Sequence, residues 1–209
     1  MDKVGHFVLG MVVKANPDKD AYLTLIGGTD RFAVLPKTCA DGVYRIGDRF
    51  YACIKSLAGE YPVLSQRSGH FFRRVSELLF RDLIAEGRIS VEAVGTVQAA
   101  GFVKIAVSSP TGEDPIKLCL PAVREFSSYS RLQPCLVRHA SLVADFIKEA
   151  LVPAPLSEVR RIDVDRRARE ASVMVANGCL GRFLGTKGMN VAVASRVTGY
   201  SIRLYSEEG

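Results

Sequence analysis

Gly185-Thr186-Lys187-Gly188 is the segment of this chain best made to hold a ligand. Two glycines lacking Cβ atoms let an extended sugar-phosphate chain come close to the protein backbone. The N–H groups that open a following helix would face its phosphates, and Lys187 adds a cation. Arg182, Asn190 and Arg196 are near enough in sequence to join the same surface. This is the chemistry of holding a phosphodiester rather than of making or breaking bonds. Nothing else in the chain supplies a reactive constellation. His6, His70 and His139 fall in different predicted units, none beside a nucleophile or a ligand cluster. Asp163 and Asp165 alternate on one strand face and read as a hydrated strand end. The G-x-x-x-x-G-K-[ST] phosphate-binding P-loop is absent. No catalytic residue, metal site or cofactor is therefore expected, and the chain reads as a non-enzyme.

A G-x-x-G loop binds only if its flanks position it. Leu180 to Leu184 can form one helical turn before it. After it, Val191, Ala194, Val197 and Thr198 recur at helical spacing, and Gly199 stands where a left-handed cap ends a helix. Ser201 to Tyr205 then alternates as a strand with Ile202 and Leu204 inward. Upstream, Val159 to Val164 and Ala171 to Val175 read as strands joined by the charged hairpin Asp165 to Glu170. Strand, strand, helix, loop, helix, strand is the later part of a type II KH fold, whose loop clamps about four nucleotides of a single strand.

Three stretches carry a closer resemblance: Glu158-Val-Arg-Arg-Ile-Asp-Val-Asp165, Leu184-Gly-Thr-Lys-Gly-Met-Asn-Val191 and Ala194-Ser-Arg-Val-Thr-Gly-Tyr200. Together they resemble the last KH domain of the bacterial NusA transcription factors. Asp145 to Ala154 is similar to the helix and Val-Pro-Ala joint that lead into that domain. The earlier chain follows the same family order. Residues 1–68 read as short strands punctuated by Asn16 to Asp20, Gly27-Gly28 and Asp41-Gly42. Gly10-x-Val-Val, Leu35-Pro and Arg45-x-Gly-Asp-Arg49 make this stretch similar to an S1-type OB barrel. Such barrels stack bases on aromatic side chains, and the resemblance assigns that role to Tyr22; the second aromatic usual in the family is Val34 here. Residues 69–86 are expected as a connecting helix with an apolar stripe through Phe71, Phe72, Val75, Leu78, Leu79 and Leu83. Residues 87–140 repeat the KH pattern, but Pro121-Ala122-Val123-Arg124 stands where the family has its G-x-x-G. With no glycine there and one N–H removed by proline, this first unit is expected to be structural. Residues 141–209 form the second KH domain. The fold class implied is multidomain, an all-β OB-type barrel followed by two α/β type II KH-like domains.

Composition sets the remaining bounds. A content of 48% hydrophobic and 24% charged residues is that of an ordinary globular protein. No apolar run approaches a membrane span, and the first residues have no signal-peptide shape. Five cysteines without C-x-x-C spacing indicate neither a disulfide framework nor zinc and suit a reducing cytoplasm. A formal charge of +6 favours a polyanionic partner. The resemblance implies single-stranded RNA as that partner, in regulation of transcription elongation, termination or antitermination. RNA polymerase or other transcription factors would be further partners, although no room is expected for the family's amino-terminal polymerase-contacting domain. A protein-interaction scaffold with weakened RNA binding and an RNA-binding subunit of an RNA-processing complex are the alternatives. Phe183 stands where the family has a small residue, so its ring could narrow the groove, whereas Arg182 could add a phosphate contact.

Overall fold

Alternation of buried and exposed residues builds the first part of the chain. The structure, a computed structural model, describes residues 3–15, 20–27, 31–97 and 99–207. Strands β1 (Phe7–Ala15), β2 (Ala21–Ile26), β3 (Arg31–Pro36), β4 (Arg49–Ser56) and β5 (Val63–Ser65) close a barrel in the order β1-β2-β3-β5-β4. Every second residue of β2 points inward, so Tyr22, Thr24 and Ile26 are buried with Val12, Leu35, Ile54 and Leu64. Gly10 is required on β1 because a Cβ there would lie 2.6 Å from the Phe50 ring. The fifth strand, three residues behind Pro62, is too short a run to stand out in the sequence.

Residues 69–86 form two helices rather than one: α1 (Gly69–Leu79) and α2 (Arg81–Ala85), broken at Phe80, whose ring is buried. Phe71, Phe72 and Val75 of the expected stripe are buried, whereas Leu78 is exposed. Arg73 and Arg74 both pair with Glu77 on the solvated face.

Contacts divide the chain into two units, 1–78 with 125–131 and 79–124 with 132–209. The segment 125–131 reads in sequence as the second helix of the first KH-like unit. Instead, Arg124–Ser128 is a 3-10 turn and the segment packs with the barrel residues. Phe126 stacks on Phe72 at 6.2 Å between ring centroids. Buried Asp41 accepts hydrogen bonds from the Ser130 hydroxyl at 2.8 Å and the Arg131 N–H at 2.6 Å. A buried carboxylate needs such donors, and its own N–H donates to Gln66 Oε1 at 3.0 Å.

The second unit contains two three-stranded sheets of one topology. In the first, β6 (Ser90–Gly95) and β7 (Phe102–Ser108) are antiparallel, and β8 (Gln133–Arg138) lies parallel to β7 after helix α3 (Pro115–Val123). In the second, β9 (Val159–Asp165) and β10 (Glu170–Val175) are antiparallel. Helices α5 (Leu180–Leu184) and α6 (Met189–Thr198) then lead to β11 (Ser201–Ser206), parallel to β10. Helix α4 (Val143–Ala150) precedes the second sheet. One core joins these pieces: Ala106 and Val137 from the first sheet, Ile147 and Leu151 from α4, and Val173, Phe183, Ala194 and Val197 beyond. Helix α6 comes so close to β6 that a Cβ on Gly95 would lie 2.5 Å from the Val197 nitrogen.

Candidate nucleic-acid interface

The loop between α5 and α6 is held in conformations that its glycines make possible. Gly185 adopts φ 67° and ψ −179°, a region essentially closed to side-chain-bearing residues. A Cβ there would also meet the Asn190 Cβ at 2.9 Å. Thr186–Gly188 makes a single 3-10 turn in which Lys187 (φ 52°) and Gly188 (φ 72°) are left-handed. The Gly188 N–H returns to the Gly185 carbonyl at 3.1 Å, closing the corner. Gly188 starts α6, and no side chain caps that helix end. An uncapped N-terminus carries partial positive charge and donors that lack intrahelical acceptors.

Beside the loop is a cleft of about 640 Å³. One wall is the loop itself, with Arg182, Gly185, Thr186, Lys187, Met189 and the edge of Asn190. The other comes from the ends of β7 and β8 in the first sheet, including Gly101, Phe102, Pro134 and Cys135, with Pro153 between them. A rim of Arg182 and Lys187 over walls of Phe102, Pro134 and Met189 suits a ligand with an anionic backbone and flat apolar faces.

Behind the loop stands a group that no sequence pattern singles out. Lys104 on β7 is fully buried. Its ammonium donates to the Ala150 carbonyl at the end of α4 and to Asn190 Oδ1 at 2.7 Å. Burial lowers its pKa from 10.5 to about 8, with Cys135 opposing that shift. Burial also pushes the Cys135 thiol up. Asn190 in turn donates through Nδ2 to the Leu151 carbonyl at 2.9 Å and the Phe183 carbonyl at 3.0 Å. An ammonium can only donate and a carbonyl can only accept, so these partners fix which way the amide faces.

The expected site residues thus divide into two groups. Arg182, Gly185, Thr186 and Lys187 line one wall, and Gly188 completes their loop. Arg196 is exposed but lies two turns along α6 and does not line the cleft. The Asn190 side chain is used inside the protein, so its place is support rather than ligand contact. Tyr22 belongs to the barrel, where its ring is buried and its hydroxyl accepts the Tyr44 N–H at 3.3 Å, so no face is offered to a base. Exposed aromatics there include Tyr51 on β4 and the pair Phe32 and Tyr61, in edge-to-face contact at 6.4 Å. Strand phase could have found Phe32, since it alternates with inward Ala33 and Leu35. Phe183 does not narrow the groove, because its ring points into the core. The hairpin carboxylates are also employed locally: Asp165 accepts from the Arg167 and Ala168 N–H groups, and Asp163 pairs with Arg161 at 2.8 Å. Among the described residues no group of three His, Cys, Asp or Glu side chains gathers as metal ligands, and no helix is long and apolar enough to cross a membrane.

Comparison with known proteins agrees with this anatomy. Residues 143–209 match the family described as the NusA-like second KH domain. The chain is 29% identical to the transcription termination/antitermination protein NusA of Borreliella burgdorferi, over 96% of this chain and 42% of that protein. Against the NusA of Thermus thermophilus the identity is 27%, over 99% of this chain and 54% of that protein. Against that of Halalkalibacterium halodurans it is 24%, over 94% and 52%. The chain spans about half the length of these curated relatives.

Proposed function

We propose that this chain, similar to the NusA proteins over nearly its whole length and to the NusA-like second KH domain over 143–209, binds single-stranded RNA as part of a transcription elongation, termination or antitermination factor. The observation that carries this is the loop 185–188, which opens an uncapped helix and forms one wall of an apolar, basic-rimmed cleft. In this mechanism the RNA backbone lies against Gly185 and Gly188, where no Cβ intervenes. Lys187 and Arg182 neutralise phosphates, and the N–H groups at the start of α6 face them. Bases turn toward Phe102, Pro134 and Met189, where contact is tolerant of sequence. Residues 121–124 of the first sheet take no part in clamping, and the barrel is of the OB type, a reading supported by its strand order. The chain performs no covalent chemistry. RNA polymerase and other transcription factors are its further partners.

The test is Thr186→Asp with Lys187→Asp. Both glycines and the turn remain, and aspartate tolerates the left-handed conformation at position 187. Surface substitutions of this kind change stability by about 0.5 kcal/mol. A bound phosphate would meet two anions at a few ångströms, worth about 1 to 4 kcal/mol between water and a protein surface. Fluorescence anisotropy with a short single-stranded RNA should show at least about a tenfold loss of affinity with an unchanged melting temperature. Equal affinity in the folded variant would reduce the loop to a corner.

A further inference from the structure

We propose that Lys104, although it lies on the first sheet, is the positioning residue of the RNA-binding loop, acting through Asn190. This deepens the reading above and rests on it for the ligand. Asn190 supports both arms of the loop. Its Nδ2 holds the Phe183 carbonyl on the incoming arm, and its Cβ is the surface on which the bare Cα of Gly185 sits. Asn190 is itself held on the far side by Lys104 at 2.7 Å, and Lys104 is anchored to the end of α4 through Ala150. The chain of contacts runs from β7 through Lys104 and Asn190 to the loop, and both of these side chains are buried.

The ammonium is more than a peg. It is 5.9 Å from the centroid of Phe102, a residue of the cleft wall. On β6 its opposite residue is Gly95, on β8 it is Cys135, α4 presents the Ala150 carbonyl, and α6 presents Asn190. Cys135 is the titratable group in electrostatic contact with it, and among the described residues no carboxylate pairs with it. A buried cation held only by neutral oxygens is incompletely compensated. A phosphate at the loop would add negative charge on the far side of Asn190, so the protonated lysine and the bound backbone favour each other by linkage. Loss of the proton, which burial moves to about pH 8, weakens both the grip on Asn190 and the attraction for phosphate.

The experiment uses the full chain, a short single-stranded RNA and Lys104→Met, which keeps the length of the side chain without its charge. Parent affinity should fall about threefold or more between about pH 7 and about pH 9. The variant should bind about fivefold or more weakly at neutral pH and show no such limb. In the RNA-free parent, amide resonances of Gly185 and Gly188 should shift with a midpoint near the lysine's, which reads positioning without any ligand. A folded variant that binds within about twofold of the parent, or loop amides that ignore this pH range, would overturn the proposal. Should the variant fail to fold, the parent's two profiles decide. If the loop amides titrate but no RNA binds at any pH, the lysine's role stands and the RNA reading falls. If the double change Thr186→Asp with Lys187→Asp abolishes binding while Lys104→Met does not, the RNA reading stands and the lysine's role falls.

Discussion

Residues 121–124 and 185–188 follow the second strand of two sheets with the same strand order, yet they are built in opposite ways. At 121–124 the chain stays helical. Pro121 lies inside α3, and Arg124 is still right-handed at φ −61°. At 185–188, three residues take positive φ, the helix breaks, and a new one starts with its N–H groups uncapped. The contrast separates topology from binding. A sheet of this order supplies a place for a loop, but donors face outward only where the backbone can turn left-handed.

The contrast is broken most severely at Gly185. Alanine there must hold φ 67° and ψ −179° and also displace the Asn190 Cβ from 2.9 Å. Backbone strain and overpacking together should cost about 3 to 4 kcal/mol, seen as an earlier midpoint in urea. A Gly185→Ala protein as stable as the parent would mean that the loop geometry is not what the glycine is for.

Lys104 ties the two regions together, because through it the first sheet supports the second sheet's loop. Its native pKa of about 8 lies below the ordinary 10.5. Between those values the unfolded chain binds the proton and the native protein does not, so stability rises with pH there. At about 1.4 kcal/mol per pH unit the rise is up to about 3 kcal/mol by pH 10.5. Burial of the Cys119 thiol, raised to about 11, works in the opposite direction above pH 9, the thiol's ordinary value. The difference between parent and Lys104→Met cancels Cys119 and leaves the lysine with its electrostatic partner Cys135. Chemical denaturation at several pH values should show the parent gaining on the variant as pH rises, whereas RNA affinity moves the other way. Parallel stability curves would show that the lysine titrates normally.

How much of this was legible in the sequence depends on the residue. Glycines at 185, 188 and 199 marked the loop and the helix end because left-handed backbone has few other occupants. Of the positions 191, 194, 197 and 198 read as the inner face of α6, 194 and 197 are buried, while 191 and 198 are half-buried and Val193 takes an inner place the spacing did not mark. Lys104 was hidden, since a single lysine among Phe-Val-Lys-Ile-Ala-Val reads as the wet face of a strand. Only the sheet order, which makes β7 central and covers both its faces, buries it. Tyr22 failed on strand phase, because a type of residue indicates an aromatic platform but not which face it is on. The departure of 125–131 into the barrel unit depends on Asp41, some ninety residues earlier, a pairing that no local pattern announces.

The smallest effect is expected at the first region. Pro121→Gly with Arg124→Gly creates a G-x-x-G, yet the flanking residues of α3 and of the 3-10 turn keep their sequence. RNA affinity should stay within about twofold of the parent, as for other surface changes. A clear gain would show that spacing alone makes the site.

Where RNA sits on the protein can be read residue by residue from amide chemical shifts of the isotopically labelled chain titrated with a short single-stranded RNA. The largest changes should fall at Gly185, Lys187 and Gly188, with Gly101 and Phe102 responding across the cleft, while 121–124 stay silent. Largest changes at 121–124, or at Phe32 and Tyr61 on the barrel with a silent 185–188 loop, would contradict binding at that loop.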